Sequence, residues 1–260
     1  MRRRLKQAYR NFKYIRLNRP RVKVRPTDGF VTSWPRSGNT WMRYLLFGAL
    51  YPDVSWDLVS LNKQMPSIAD PDLNQLLAEL DNHAFRMFKS HENAQEYILG
   101  GRVVYLVRDG RDATCSFYHY RTKLNKRDYT FRQYLERSLA GKFRYGSWHE
   151  HVCNWLSYES HPSLLVVRYE DMLVDAATQL KRVLNHFGTE VTEDCITAAV
   201  ERSSVGRVNQ GFAQYAAGKD RQFSGGQGGG TGKFRQWFTE QDELLFMEYA
   251  GETMQKLGYT

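Results

Sequence analysis

Cysteine is scarce in this chain. Cys115, Cys153 and Cys195 are the only three in 260 residues, and no two of them form a C-x-x-C pair. An odd count without paired spacing argues against a disulfide framework and fits a reducing, cytoplasmic setting. Long apolar runs are lacking as well. None approaches the roughly 20 residues that a membrane span requires, and no apolar stretch near the start has the form of a signal peptide. The spacing G-x-x-x-x-G-K-[ST] is absent, which removes the usual nucleotide-triphosphate loop. Acidic residues are missing from positions 1–25, which hold eleven of the 37 Lys and Arg. The other 235 residues carry 26 basic against 28 acidic side chains, so the net charge of +9 belongs to the arm rather than the body. What is abundant is apolar: 42% hydrophobic and 14% aromatic residues exclude a disordered chain. The length suffices for one sizeable core and requires no second domain.

These features divide the chain into a basic arm, residues 1–26, and a single domain, residues 27–260. In the arm, Leu5, Ala8, Phe12 and Ile15 share one helical face with Arg and Lys elsewhere. Pro20 and Pro26 bracket the alternating Arg21-Val22-Lys23-Val24-Arg25, which reads as extended. A basic amphipathic helix can lie on an anionic membrane surface, peripheral to it; the alternative is a solvated tail. The arm could also meet phosphate backbones non-specifically, with steep salt dependence. The near-neutral body argues against nucleic acid as the partner.

The richest segment is Thr32-Ser33-Trp34-Pro35-Arg36-Ser37-Gly38-Asn39-Thr40-Trp41. The apolar Gly29-Phe30-Val31 leads into it, and Trp41, Leu45, Leu46 and Ala49 follow at helical spacing. Strand, tight polar turn and helix point free backbone N–H groups at an anion. Arg36 adds a fixed charge, and Ser37, Asn39 and Thr40 add short-armed donors. A turn of this kind can also simply connect a core strand to a helix.

Four apolar runs read as buried strands: 30–33, 85–88, 103–107 and 164–167. Helical patterns cover 41–50, 73–80, 111–120, 131–139, 148–159 and 176–187. Strands alternating with helices predict an α/β fold with a central parallel sheet flanked by helices, whose ligands bind beyond the carboxyl ends of the strands. Three strands end in polar clusters, Arg36-Ser37, Lys89-Ser90-His91 and Arg108-Asp109, which suggests one shared site. Near the end, Ser224–Gly232 holds six glycines in nine residues and reads as a flexible linker or a loop that approaches a phosphate. His149 and Cys153 would share a helix face with His151 turned away; without a second ligand cluster no metal is expected.

Taken together these pieces resemble the cytosolic-type sulfotransferases, which use 3′-phosphoadenosine-5′-phosphosulfate (PAPS) as sulfuryl donor. Trp34–Trp41 is similar to the family's P-loop-like 5′-phosphosulfate-binding loop. Tyr105-Leu106-Val107-Arg108-Asp109 through Ser116-Phe117-Tyr118-His119 is similar to its 3′-phosphate motif, with the Arg-to-Ser separation of eight residues kept. Tyr145-Gly146-Ser147-Trp148, Tyr169-Glu170-Asp171-Met172 and the stretch from Gly229 through Phe238-Thr239 follow in the family's order. The resemblance implies that Arg36 and the backbone N–H groups of Ser37, Gly38, Asn39, Thr40 and Trp41 stabilise charge on the departing phosphate. It implies His91 as general base, Lys89 on the sulfonate oxygens, and Arg108 with Ser116 on the 3′-phosphate. Trp41, Tyr169 and Ser203 would line the adenine pocket, and Gly229 would join the C-terminal cofactor motif.

The chain also departs from the family pattern. Arg36 stands where Lys is usual, so its role is electrostatic, because a guanidinium does not give up its proton. Val205 replaces a Phe, and Gln227-Gly228-Gly229 replaces Arg-Lys-Gly; Lys219, Arg221 or Lys233 could supply the missing charge. The family's dimer signature is not reproduced around Thr239–Leu244, which leaves the oligomeric state open. The expected acceptor is a hydroxyl or amine on a small molecule, lipid or carbohydrate. Tyr120, Tyr129, Phe131, Tyr134, Phe143 and Tyr145 would either wall its pocket or belong to the core. The alternatives are a phosphotransferase and a catalytically impaired, nucleotide-binding member of the same fold.

Overall fold

The computed structural model describes residues 22–94, 98–125, 129–204, 206–208 and 230–259. The expectations for residues 1–21, Val205, Lys219, Arg221 and 227–229, Gly229 among them, lie outside the described residues.

Four strands form one parallel sheet: β1 (Gly29–Ser33), β2 (Met87–Ser90), β3 (Arg102–Val107) and β4 (Leu164–Arg168), in the order β2-β1-β3-β4. Phe30 pairs with Phe88 and Val103, and Tyr105 with Val166, so Ser33, Ser90, Val107 and Arg168 all finish at one edge. The described helices are α1 (Asn39–Leu50), α2 (Leu58–Gln64), α3 (Leu73–Leu80), α4 (Gly110–Asn125), α5 (Phe131–Leu139), α6 (Trp148–Leu156), α7 (Tyr169–Val174), α8 (Ala176–Phe187), α9 (Glu193–Arg202) and α10 (Glu240–Lys256).

Strand alternation sorts the core into two layers. Phe30, Phe88, Val103, Tyr105 and Val107 face a cluster that takes in α4, α5, α6 and α10. Val31, Met87, Val104, Leu106 and Val167 face the other side, against α1, α8 and α9. Each such fully buried side chain contributes roughly 1.5–3 kcal/mol, which is why near-continuous apolar runs are needed in a sheet covered on both faces.

Helix ends follow local capping chemistry. Thr130 and Gln133 form a reciprocal capping box at α5, and Thr239 and Asp242 form one at α10. The spans 73–80, 131–139 and 176–187 agree with the helical spacing. The second strand does not: pairing begins at Met87 rather than Phe85. Arg86 interrupts that apolar run and is buried in an ion pair with Asp28 at 2.6 Å, while Phe85 turns to Phe187 instead. Helices 58–64, 169–174 and 193–202 escaped the spacing analysis because they are short or carry a narrow apolar stripe. The last residues of the arm pack on the body: Val22 is buried in the core, and Arg86 Nη2 donates to the Lys23 carbonyl.

Candidate active site

The turn between β1 and α1 is strained and uncapped. Arg36 has φ 70°, the one positive value outside glycine among the described residues, and Gly38 follows at φ 97° in the N-cap position. No side chain caps α1 and no acid lies in its first turn, so its leading N–H groups face outward. A Cβ on Gly38 would stand 2.7 Å from Tyr169 Cδ2, so glycine here lets α7 close over the turn. The Ser37 hydroxyl is fully buried without a hydrogen-bond partner. Asn39 behaves differently from the sequence expectation. Its side-chain nitrogen donates to the Val31 and Ser90 carbonyls, at 3.0 and 3.3 Å, tying β1 to β2 rather than offering a donor to a ligand. Thr40 stands half-buried in the first turn.

Arg36 reaches across to α4. Its Nε donates to Ser116 Oγ at 3.1 Å, and its guanidinium lies 5.4 Å from the Tyr120 ring centroid. Arg108, at the end of β3, donates to the Arg36 carbonyl at 3.2 Å and to the Gly230 carbonyl at 2.9 Å, while its Nε has no partner. The Arg108 guanidinium stacks 4.5 Å from the Tyr169 ring. Tyr169 in turn meets the Trp41 ring edge-on at 5.7 Å, and Trp41 Nε1 donates to the Ser203 carbonyl at 2.8 Å. Ser203 is itself fully buried with an unpartnered hydroxyl. Arg36, Ser37, Arg108, Ser116, Trp41, Tyr169 and Ser203 therefore form one cluster. Asp112 holds the returning C-terminal segment beside it, accepting from the Gly232 and Phe234 N–H groups at 2.8 Å each; Lys233 sits within that turn.

His91 follows β2 at the same edge. Its Nδ1 lies 2.8 Å from the Ser33 carbonyl oxygen. A carbonyl can only accept, so Nδ1 carries the proton and Nε2 keeps its lone pair. Burial, then the Lys89 charge, hold the imidazole well below its ordinary pKa, so it is neutral near pH 7. Burial, with Arg43 and Arg36 nearby, pushes Lys89 down to about 7. The Tyr145 ring stands 5.5 Å from that of His91, Arg144 lies over Tyr145, and Arg144 pairs with the buried Glu92 at 3.4 Å. Of the aromatics expected near an acceptor, Tyr134 and Phe143 are buried core, whereas Tyr120, Tyr129, Phe131 and Tyr145 are half-buried.

Residues 26–258 match the family model described as the sulfotransferase domain. The chain belongs to the sulfotransferase family. Sulfotransferase 1A1 of Bos taurus is 26% identical over 249 residues, covering 86% of this chain and 83% of that protein. Sulfotransferase 4A1 of Mus musculus is 26% identical over 189 residues, 68% of this chain and 66% of that protein, so the chain spans just under two thirds of that relative's length. Among solved structures, retinol dehydratase in complex with androsterone and inactive cofactor PAP superposes with a TM-score of 0.75 at 20% identity, covering 94% of this chain and 85% of that one. Mouse sulfotransferase SULT7A1 complexed with PAP gives 0.68 at 21% identity, with 89% and 85% covered. These likenesses show a shared fold, and it is the α/β sheet expected from the sequence.

Two residues beside this candidate site take roles that the sequence did not assign to them. His151, on α6, accepts at Nδ1 from the Tyr105 hydroxyl at 3.0 Å and donates from Nε2 to the His91 carbonyl at 3.1 Å. It is a core histidine that fixes the His91 backbone, and burial pushes it down to about 4. His149 and Cys153 turn instead toward Tyr249 and Thr253. No metal-binding cluster of His, Cys, Asp and Glu occurs among the described residues. Likewise, no helix among them is long and apolar enough to cross a membrane. The second residue is Arg43, buried on α1. Its signal was a lone cation in a helix apolar on nearly every face, which leaves it no path to solvent.

Proposed function

We propose that this protein is a PAPS-dependent sulfotransferase that moves the sulfuryl group to a hydroxyl or amine by in-line transfer. The observation that carries it is His91: neutral, its proton held on Nδ1 by the Ser33 carbonyl, its Nε2 free, beside a turn rich in cations and unpartnered donors. Ser37 Oγ, Arg108 Nε and Ser203 Oγ are buried without partners, and a nucleotide with 3′- and 5′-anions supplies acceptors of the right kind. Bound PAPS supplies a sulfuryl group attached to a phosphate that leaves well.

His91 Nε2 takes the acceptor proton as the acceptor oxygen or nitrogen bonds to sulfur. The S–O bond to the 5′-phosphate breaks on the opposite side, and its electron pair stays on that phosphate. Arg36 and the N–H groups at the start of α1 stabilise the charge that develops there. Lys89 meets the sulfonate oxygens, and Arg108 with Ser116 holds the 3′-phosphate. Trp41, Tyr169 and Ser203 receive the adenine, with Gly229 assigned to the same cofactor site. A phosphotransferase would be expected to distinguish poorly between 3′-phosphorylated and plain adenosine nucleotides.

Because solved relatives hold retinol and androsterone, lipophilic alcohols belong in the first acceptor screen, with carbohydrates beside them. We place the reaction in the cytoplasm, in one catalytic domain of residues 27–260, with the basic arm on anionic membrane. The test is calorimetric binding of 3′-phosphoadenosine-5′-phosphate (PAP) against ADP, with turnover of radiolabelled PAPS. PAP preference that Arg108→Ala abolishes, and turnover that His91→Ala removes without loss of PAP binding, are expected. Equal affinity for ADP and PAP would overturn the donor; joint loss of binding and turnover in His91→Ala would overturn the base.

A further inference from the structure

Arg43 lies on α1, five positions past Gly38, and is 2% exposed. Its Nη2 donates to the Met65 carbonyl at 2.6 Å and to Asn62 Oδ1 at 2.9 Å, while its Nε has no partner. No carboxylate pairs with it among the described residues. Burying a cation without a counter-ion is expensive, and burial pushes even this guanidinium down to about 10.

Its anchors lead directly to the reacting groups. Met65 precedes Pro66, whose carbonyl accepts from the Lys89 N–H at 2.8 Å; Ile68 N–H donates to the Lys89 carbonyl at 2.9 Å. Residues 66–68 thus run as an extra parallel partner along the outer edge of β2, bridged at Ser67 and Lys89. Arg43 holds the entry to that partner from the far side of α1. Its charge also acts on both Lys89 and His91. The other charged or titratable groups around the pair include Arg36 in the turn, His151 on α6, Tyr145 before it, and the ion pair of Glu92 with Arg144 beside Tyr145.

We infer that Arg43 is a positioning residue of the sulfuryl-transfer site: it clamps the segment that aligns Lys89 and keeps an uncompensated positive charge behind the Lys89–His91 pair. This rests on the transfer chemistry proposed above for those two residues. The clamp sets where the Lys89 ammonium meets the sulfonate, and the charge adds, after burial and Lys89, to what keeps His91 unprotonated.

Three variants separate the two roles. Arg43→Met removes clamp and charge, Arg43→Lys keeps the charge but cannot span both anchors, and Asn62→Ala keeps the charge and removes one anchor. The charge is read by following the His91 imidazole in a nitrogen NMR pH titration of the full chain, assigned against His91→Gln. Arg43→Met raises its midpoint, the direction expected on removing a like charge; Asn62→Ala and Arg43→Lys leave it unmoved. The clamp is read by calorimetry. Asn62→Ala and Arg43→Lys weaken PAPS roughly threefold or more while PAP, which lacks the sulfonate, is little changed.

An unmoved His91 midpoint in Arg43→Met overturns the charge role, and equal losses for PAPS and PAP overturn the clamp. If Arg43→Met does not fold, a midpoint shift in Arg43→Lys or in Asn62→Ala contradicts the assignment of the charge, and unaltered PAPS affinity in both contradicts the clamp. Failure of the wild-type chain to bind PAP would instead remove the proposed function, while the titration of His91 still decides the role of Arg43.

Discussion

Substituting Gly38 tests whether the turn before α1 carries both fold and nucleotide site. At φ 97° an alanine is strained by roughly 1–2 kcal/mol relative to glycine. Its Cβ would also lie 2.7 Å from Tyr169 Cδ2, so the ring must retreat by roughly 1 Å to reach ordinary carbon contact. That ring is stacked against Arg108 at 4.5 Å and meets Trp41 at 5.7 Å, so its retreat disturbs the proposed adenine and 3′-phosphate contacts together. Strain and overpacking sum to about 2–5 kcal/mol, which for a chain of this size lowers Tm by roughly 4–20 °C. Differential scanning calorimetry reads the Tm, and isothermal titration with PAP reads the site, where a loss of about tenfold in affinity corresponds to ~1.4 kcal/mol. Gly251→Ala, inside α10 with only Met247 Cε at 3.7 Å, is the control and is expected to be neutral or slightly stabilising. Gly38→Ala with an unchanged Tm and wild-type PAP affinity would refute the account of this turn.

Two further outcomes follow from buried titratable groups. Lys89, held near 7, is largely uncharged in the free protein at pH 8; PAPS restores its charge, so binding takes up protons. Titrations in buffers of different ionisation heat should show that uptake at pH 8 and its loss in Lys89→Met; uptake that persists in the variant would contradict the assignment. His151 binds protons less readily folded, at about 4, than unfolded, near 6.5, so the folded state loses stability as pH falls through that window. The loss is on the order of 3 kcal/mol, and urea unfolding of His151→Phe should show a flatter dependence between pH 6.5 and 4, together with a lower stability at pH 7 from the unpaired Tyr105 hydroxyl.

The parallel sheet was legible because its strands are apolar on both faces, and the uncapped turn before α1 because glycine and arginine stand together between strand and helix. His91, Arg108 and Arg36 were legible as strand-end residues whose sheet edge the topology then shared. Arg86 and Phe85 show where the pattern misleads: a charged residue inside an apolar run was buried by Asp28, and that pairing displaced the start of β2. Asn39 looked like a ligand donor because short polar side chains at helix starts usually are, yet its amide bridges two strands. The contacts of Arg43, and of His151 with His91, were not legible, because their partners are backbone carbonyls and side chains distant in sequence, such as Met65, Tyr105 and His91.

The hydrogen bond from His91 to the Ser33 carbonyl has a consequence for how specificity can change in this fold. Ser33 closes β1 and opens the turn that carries Arg36, so the proposed base and the proposed anion-binding turn hang from one peptide unit. In the proposed reaction, the angle between attacking atom, sulfur and departing oxygen is therefore inherited from the sheet. On that proposal, Tyr145, which meets the His91 ring from another segment, can be exchanged to admit differently shaped acceptors without retuning the reaction path.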